Sequence, residues 1–327
     1  MRSMLKRAVL GFFLIVIAVA PASASERPVV RVGVLKFGTV SWELDVMRRH
    51  GFDQARGIDL EPLELAGKDS AAVALQGGAV DVILTDWLWV ARRRGLGGDF
   101  TFVPHSHAAG GLIVRADADI KAIGDLKGRK IGVGGGPIDK SWLILRAYAQ
   151  KTAGLDLARD AQPVFAAPPL LTETLRKRDL PAALNFWQYN ARLPEVGYVE
   201  LVRVEDMLAA LDLAPETPLL GWVFSERWAA AHAEALRGFL DAAAEARALL
   251  ARSPDEWRAI ASLTQITDAV TLERLRVAYA RGISGEVPGD LGVAAQRLLD
   301  LLMSFGGIDE APPNGRVPPG TFFVGAP

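Results

Sequence analysis

A glycine-rich stretch near the middle of the chain is followed by side chains that could bind a ligand. The stretch reads KIGVGGGPIDKSW (130–142), and Pro137, Asp139 and Ser141 come directly after its glycines. Glycines after a strand let backbone N–H groups approach a small ligand. A dinucleotide-binding turn needs glycine at its sixth position, but counting from Gly132 that position is Pro137. We therefore predict contacts with a small ligand other than a nucleotide, and a plain tight turn is the alternative.

Tryptophans follow four predicted strands in two similar parts of the chain. Trp42 and Trp142 each follow a Val/Ile-Gly-Val strand and a serine, and Trp87 and Trp187 each end a helix-strand segment. The two members of each pair are 100 residues apart. Open parallel sheets bind ligands beyond the carboxyl ends of their strands. We predict ligand contact for Trp87 and Trp187, with packing in the core as the alternative.

The elements around these residues alternate between strand and helix in the first third of the chain. Runs of β-branched and apolar residues predict strands at 29–35, 57–65 and 80–85, and the intervening patterns predict helices at 42–51 and 70–78. Strands that alternate with helices in this way form parallel βαβ units. The fold class that follows is α/β, with mostly parallel sheets flanked by helices.

A change of pattern at 100–115 indicates a boundary between two lobes. Two strand-like runs are joined there by a proline, small residues and two glycines. We predict a first lobe of residues 25–110 plus 216–327 and a second lobe of residues 111–215. Further elements expected in the chain are helices at 141–153, 170–179 and 226–252, a strand at 181–187 and an irregular surface tail at 308–327.

The first 24 residues have the composition of a secretory signal peptide. Arg2, Lys6 and Arg7 precede an apolar run at 9–20, and Ala22-Ser23-Ala24 offers small residues for cleavage. The apolar run is shorter than the roughly 20 residues that span a bilayer. We predict cleavage after Ala24 and a periplasmic mature protein; an uncleaved membrane anchor is the alternative.

Charge and composition exclude several functions. The formal net charge is −1, and removal of the signal peptide would make it three units more negative, so we expect no nucleic-acid partner. The chain has no cysteine, which rules out disulfides and cysteine-based metal sites. With 327 residues and half of its composition apolar, it can bury a core large enough for two lobes.

Catalytic and metal-binding patterns are weak in this sequence. His105 and His107 could point to one face of a strand and bind a metal ion, but only His50 and His232 remain elsewhere. A structural role for this pair in a strand that joins the lobes is the alternative that we favour. Spacing alone reveals no Ser/His/Asp set or paired carboxylates, so we expect no catalytic residues, no metal, no cofactor and no enzymatic activity.

Several of these segments resemble one protein family. The family is that of the periplasmic substrate-binding proteins of ABC importers of the nitrate/sulfonate/taurine group, which includes binders of thiamine-pyrimidine precursors. DLKGRKIGV (125–133) is similar to the segment that opens the second lobe of these proteins. ALQGGAVDV (74–82) resembles a segment of their first lobe. The resemblance covers about residues 29–190. It implies a two-lobed type II binding fold that closes around one small solute.

The resemblance also implies which loops contact the ligand. The family's ligand-contacting loops correspond to positions that include Thr39, Ser41, Trp42, Ser70, Thr85, Asp86, Trp87, Pro137, Asp139, Ser141, Trp187 and Tyr189. The chain has Pro137-Ile138-Asp139-Lys140 where sulfonate binders commonly have Gly-Ser, and Trp187-Gln188-Tyr189 where they often have Trp-Asp-Pro. Aromatic faces bind flat or cationic groups, and aspartates accept hydrogen bonds from amines. We therefore favour a planar, amine-bearing or sulfonate-like organic solute over an inorganic oxyanion.

The function implied by the resemblance is capture of a small solute and its delivery to an ABC permease and ATPase at the inner membrane. We expect the protein to act as a monomer. A periplasmic sensor that signals to a membrane partner is an alternative, because it would use the same closing cleft. A pyrimidine-synthase-like enzyme is a third possibility, although enzymes of that kind carry a cysteine-rich motif that this chain lacks.

Overall fold

Two five-stranded sheets form the framework of the protein. A computed structural model describes residues 27–36, 38–215, 217–283, 289–306 and 311–324. The strands in this part of the chain are β1 (Val29–Leu35), β2 (Asp59–Leu65), β3 (Val82–Asp86), β4 (Phe100–Ser106), β5 (Gly111–Arg115), β6 (Lys130–Gly134), β7 (Gln162–Ala166), β8 (Ala182–Asn185), β9 (Tyr198–Arg203) and β10 (Leu220–Ser225).

Helices cover the faces of both sheets. Those in the described residues are α1 (Val40–His50), α2 (Phe52–Ala55), α3 (Lys68–Gln76), α4 (Trp87–Gly95), α5 (Lys140–Ala153), α6 (Leu157–Asp160), α7 (Pro168–Arg176), α8 (Trp187–Asn190), α9 (Val204–Ala210), α10 (Glu226–Ala231), α11 (Ala233–Arg252), α12 (Pro254–Ala259), α13 (Ala261–Thr264), α14 (Ala269–Ile283) and α15 (Leu291–Ser304). None of these described helices combines the length and the apolar character needed to cross a membrane.

The two sheets repeat one topology. The first has the strand order β2-β1-β3-β10-β4 and the second the order β7-β6-β8-β5-β9. In each sheet three strands pair in parallel, and a strand from elsewhere in the chain, β10 or β5, inserts antiparallel beside them. We call the units built on these sheets the first and the second lobe. The predicted α/β class with two lobes is confirmed, and the two similar parts of the sequence correspond to the two sheets.

Several predicted elements differ from the structure in their bounds. The predicted strand at 181–187 ends at Asn185, and Trp187 begins α8 instead. The single helix predicted at 226–252 is wrong, because it divides at His232, whose φ of −132° and ψ of 41° leave the helical region. Strands β7 and β9 escaped prediction because they are short, largely exposed strands without a continuous apolar run.

The last part of the chain is more closely packed than the predicted surface tail. Residues 311–324 contain no helix, but Thr321 is buried and Phe322 forms a bridge to Phe102 of β4. Before them, α15 packs on α5 of the second lobe through Leu298 and its apolar neighbours. We call residues 311–324 together with α15 the C-terminal segment, which therefore contacts both lobes. The lobe boundaries proposed at residues 110 and 216 stay a prediction. The predicted signal peptide lies outside the described residues.

Candidate functional site

A cavity of about 440 Å³ lies between the two lobes at the carboxyl ends of their strands. We call it the main cavity. It is lined by residues that follow or end β1, β3, β6 and β8 and by the starts of α3 and α7: Gly33, Leu35, Gly38, Thr39, Val40, Ala66, Lys68, Leu84, Asp86, Ala108, Ala109, Asp139, Lys140, Ser141, Ala167, Pro168, Pro169, Phe186, Trp187, Gln188, Tyr189, Leu219 and Leu220. This is the location where open parallel sheets bind ligands.

An ion pair crosses the main cavity from one lobe to the other. The Lys140 ammonium of the second lobe lies 3.0 Å from Oδ2 of Asp86, the residue that ends β3 in the first lobe. The Lys68 ammonium lies 3.9 Å from the same oxygen. Burial favours the neutral carboxyl, but the two lysines and the hydrogen bond from the Trp89 N–H outweigh it and lower the pKa of Asp86. Asp86 is therefore an anion held between two cations.

Asp86 has a second role as the N-cap of α4. Its Oδ1 accepts a hydrogen bond from the Trp89 N–H at 3.0 Å. This capping role is compatible with ligand contact, because the carboxylate has two oxygens. Oδ1 binds the helix, whereas Oδ2 faces the lysines of the cavity.

The glycine-rich turn positions Asp139 as the N-cap of α5. Gly135 has a φ of +105°, a conformation that favours glycine. Oδ1 of Asp139 accepts hydrogen bonds from the Ser141 and Trp142 N–H groups. These amides already have a partner, so the expectation that free backbone N–H groups of this turn meet the ligand is not supported at these two positions. Burial raises the pKa of Asp139 despite the nearby lysines.

Aromatic side chains of the second lobe form one wall of the main cavity. Trp187 lines it and also packs against two rings of the first lobe, edge-on against Trp42 and at a tilt against Tyr279, with ring centroids 6.1 and 6.0 Å away. Tyr189 lies two residues further on and is largely buried. Trp187 therefore both lines the main cavity and forms aromatic contacts between the two lobes.

The predicted site residues fall into three groups. Thr39, Asp86, Asp139, Ser141, Trp187 and Tyr189 line the main cavity. Ser41 and Trp42 line a neighbouring cavity of about 230 Å³, which we call the second cavity. The other four residues line neither of these two cavities: Ser70, Thr85, Trp87 and Pro137.

Each of those four has another place in the structure. Trp87 lies in the core, 1% exposed, with its ring 6.3 Å from that of Phe322. The Ser70 hydroxyl accepts a hydrogen bond from the Gly67 N–H at the start of α3. Thr85 is buried in β3 beside β10, and Pro137 is exposed in the turn. Ligand contact by these residues stays a prediction that their positions do not favour.

Three polar residues of the main cavity were not singled out as site residues from the sequence, namely Lys68, Lys140 and Gln188, although the last two lie within loops that the family resemblance assigned to ligand contact. Lys140 had a local signal, because it lies between two candidate residues in the glycine-rich turn. Lys68 precedes the loop position that the family resemblance indicated. Gln188 lies between Trp187 and Tyr189, where it was noted only as a departure from the family pattern.

The second cavity adjoins the main cavity and is rich in basic residues. The two share Gly38, Pro169, Gln188 and Tyr189. Its other lining residues are Lys36, Ser41, Trp42, Thr172, Glu173, Arg176, Arg192, Leu263, Thr264 and Gln265.

His105, one of the two histidines considered for metal binding, belongs to a buried hydrogen-bond network. His105 Nε2 lies 3.0 Å from Oε1 of buried Glu43, which also accepts a hydrogen bond from the Tyr279 hydroxyl at 2.7 Å. Arg247 donates to the His105 carbonyl on the other side. The described residues contain no group of three or more metal-binding side chains. This buried network lies outside the lining of both cavities.

Two α/β lobes with a lined cavity at their strand ends define a two-lobed periplasmic-binding-protein fold, and comparison with known proteins agrees. A family model described as NMT1/THI5 like matches residues 44–257, so the chain belongs to the NMT1/THI5-like family. The resemblance drawn from the sequence is confirmed. None of the curated proteins compared with the chain matches it.

Solved structures share this fold at low sequence identity. The alkanesulfonate-binding protein SsuA from Xanthomonas axonopodis pv. citri bound to MOPS is 18% identical, with a TM-score of 0.69 over 92% of this chain and 99% of that chain. The periplasmic aliphatic sulphonate binding protein SsuA from Escherichia coli is 19% identical, with a TM-score of 0.69 over 91% and 94%. The desulfurization enzyme DSZB is 16% identical, with a TM-score of 0.55 over 90% and 98%. The fold therefore occurs in binding proteins and in an enzyme.

Proposed function

We propose that the protein is a periplasmic solute-binding protein that captures a small organic solute in the main cavity for delivery to an ABC permease and its ATPase. The observation that carries this proposal is the set of cavity residues from both lobes, centred on the ion pair between Asp86 and Lys140. Membership of the NMT1/THI5-like family and the fold shared with the SsuA proteins support it.

Closure around the solute follows from the lining of the main cavity, because both lobes contribute residues to it. A ligand that contacts both lobes binds the closed form more tightly and shifts the population towards it. Lys140 of the second lobe already approaches Asp86 of the first, and Trp187 approaches Trp42. A bound solute would add contacts across the same gap, and the permease would recognise the closed form.

The lining favours an organic solute over a bare oxyanion. Lys68 and Lys140 are balanced by Asp86 and Asp139, so an inorganic anion would meet two carboxylates as well as two ammonium groups. Trp187 and Phe186 offer aromatic surface for a planar body, and Asp86 can accept hydrogen bonds from an amine. Binding of MOPS by the Xanthomonas relative supports an organic ligand.

The proposal excludes catalysis, although the DSZB fold makes an enzyme a second candidate. Among the described residues that line the main cavity there is no histidine, and the whole chain lacks cysteine. The residues left for chemistry are lysines, aspartates and hydroxyl groups, which also suit binding. Mass spectrometry of a solute recovered after prolonged incubation would reveal an enzyme if the solute were changed.

A thermal-shift screen tests the proposed function. The panel contains sulfonates, amino-pyrimidines, amines and small acids, with nitrate and sulfate as inorganic controls. A binder raises the unfolding temperature, because it stabilises the folded state by RT ln(1 + [L]/Kd). We expect stabilisation by an organic solute, and a response to nitrate or sulfate alone would contradict the proposed ligand class.

Variants connect such binding to the main cavity. The K68Q/K140Q variant should lose most of the thermal shift, since it removes both cations that line the cavity. The matched control is Lys151→Gln, which removes an exposed lysine paired with Asp212. Equal thermal shifts in both variants would place solute binding outside the main cavity.

Secretion is tested separately by N-terminal sequencing of the mature protein, which should begin at Ser25. A monomer is expected in size-exclusion chromatography.

A further inference from the structure

The second cavity has a different charge from the main cavity. Three basic residues line it, namely Lys36 after β1, Arg176 at the end of α7 and Arg192 just after α8. Glu173 is the single acid among the described lining residues, and its exposed carboxylate lies 3.8 Å from Arg176. The formal charge of this lining is positive, whereas the main cavity is lined by two lysines and two aspartates.

Arg192 is held in place without a carboxylate. Its Nε donates a hydrogen bond to the Gln188 carbonyl at 3.0 Å, and its guanidinium lies over the Tyr189 ring, 5.6 Å from the centroid. No acidic side chain in the described part of the chain forms an ion pair with it. Burial lowers the pKa of Arg192, and the nearby charge of Arg176 lowers it further. An anion placed between the two arginines would relieve this repulsion.

The second cavity adjoins the main cavity. Gly38, Pro169, Gln188 and Tyr189 line both, so a solute that reaches past these four residues from the main cavity would meet the arginines. Gln188 and Tyr189, which lie at the junction, also hold Arg192 through the hydrogen bond and the ring contact. Arginine binds sulfonate, phosphate and carboxylate groups through charge-assisted hydrogen bonds.

We infer that the second cavity binds an anionic group of the solute, a sulfonate, phosphate or carboxylate, while the body of the solute lies in the main cavity. This inference rests on the proposed function and narrows its ligand class to organic solutes with a terminal anion. The anion would also favour closure, because Lys36 belongs to the first lobe and the two arginines belong to the second.

Calorimetric titration with three related probes tests the inference. 4-(Aminomethyl)benzenesulfonate carries both an amine and a sulfonate, benzylamine lacks the sulfonate, and benzenesulfonate lacks the amine. Each is titrated into the full mature protein at one fixed ionic strength. The R176Q/R192Q variant removes the two arginines of the second cavity. Its matched control is R159Q/R227Q, which removes two exposed arginines outside both cavities.

The expected result is a selective loss in the second-cavity variant. The wild-type protein should bind the aminosulfonate more tightly than benzylamine, and R176Q/R192Q should bind the aminosulfonate about 10- to 100-fold more weakly. Benzylamine affinity should be unchanged, and so should every affinity of the control variant. Arg192→Lys keeps the positive charge and should retain part of the aminosulfonate affinity. This variant separates loss of the anion contact from a folding defect in the double variant.

Two results would overturn the inference. One is equal aminosulfonate affinity in the wild-type and R176Q/R192Q proteins. The other is a wild-type protein that binds the aminosulfonate no more tightly than it binds benzylamine, or that binds none of the three probes. The proposed function would survive each of these results if the broader screen finds an organic solute whose binding depends on Lys68 and Lys140. Failure of that screen as well would remove both proposals.

Discussion

Trp87 and Trp187 occupy equivalent positions in the two lobes but have different surroundings. Each begins the helix that follows the third strand in its sheet order, β3 or β8. Trp87 is 1% exposed and packs in the core near Phe322 of the C-terminal segment. Trp187 lines the main cavity and contacts Trp42 and Tyr279 across the gap between the lobes.

A position at a strand end therefore does not by itself make a residue part of the site. The C-terminal segment adds Phe322 beside β4 and places its ring next to that of Trp87. In the second lobe α8 has only four residues, and the indole at its start remains next to the opening. Elements distant in sequence therefore decide which tryptophan can meet a solute.

Alanine substitutions at the two tryptophans should affect different properties, namely stability for Trp87 and solute affinity for Trp187. Trp87→Ala removes a buried indole, and we expect a loss of about 3–5 kcal/mol in the free energy of unfolding. Trp187→Ala should cost less stability but weaken solute binding by about 0.5–2 kcal/mol through lost aromatic contact. Urea denaturation and calorimetry measure the two quantities. A larger loss of affinity from Trp87→Ala than from Trp187→Ala, in folded protein, would reverse the comparison.

The lobes also differ in how they bury a tyrosine hydroxyl. Tyr279 donates to the buried carboxylate of Glu43, whereas Tyr198 of the second lobe donates to the Leu180 carbonyl at 2.6 Å. Hydrogen bonds to charged groups contribute more, so Tyr279→Phe should cost about 1.5–3 kcal/mol and Tyr198→Phe about 0.5–1.5 kcal/mol of unfolding free energy. Urea denaturation measures both, and equal costs would contradict the assigned difference.

The two N-cap aspartates should give opposite pH dependences. The pKa of Asp86 is lowered from its ordinary value of 3.8, so its stabilising contribution is present at neutral pH and is lost as the pH falls below about 3.8. The pKa of Asp139 is raised, so the folded protein binds its proton more readily and loses stability as the pH rises from 3.8 through the raised pKa.

Asparagine variants separate these effects, because asparagine preserves the N-cap. Asp86→Asn should be less stable than the wild type at pH 7, and the difference should shrink at the acid end. Asp139→Asn should gain stability relative to the wild type as the pH rises from 3.8. Thermal midpoints between pH 3.5 and 7 provide the measurement, and parallel profiles for the two variants would show that the assignment of opposite shifts is mistaken.

The smallest expected contrast concerns two serines. The Ser70 hydroxyl bonds to the backbone of Gly67 at the start of α3, whereas Ser141 lines the main cavity. Ser70→Ala should cost about 0.5–1 kcal/mol of stability and leave solute affinity unchanged. Ser141→Ala should weaken solute binding by about 0.5–1.5 kcal/mol with little effect on stability. Affinity loss in Ser70→Ala alone would restore Ser70 as a ligand contact.

The fold was largely predictable because its signals are local. The β-branched run of β1, the DLKGRKIGV segment and the alternation of strands with helices lie within short windows of the chain. The insertion of β10 between β3 and β4 was not predictable in this way, since it joins residues more than 100 positions apart in the chain.

The candidate site was predictable only in part for the same reason. Trp187 was identified from its place after a predicted strand, Asp139 from the glycine-rich turn and Asp86 through the family resemblance. The second cavity combines Lys36, Arg176 and Arg192 with residues 263–265, and no short sequence pattern connects these segments. Trp87 had the same local signal as Trp187, and packing against elements distant in sequence, Phe322 among them, distinguishes the two.

A crystal structure of the protein with an organic solute from the thermal-shift screen would show whether the solute binds between the two lobes. We predict electron density for the solute in the main cavity, in contact with Trp187 and with the Asp86–Lys140 pair. Density for the solute outside the gap between the two lobes, with the main cavity filled only by water, would contradict the account.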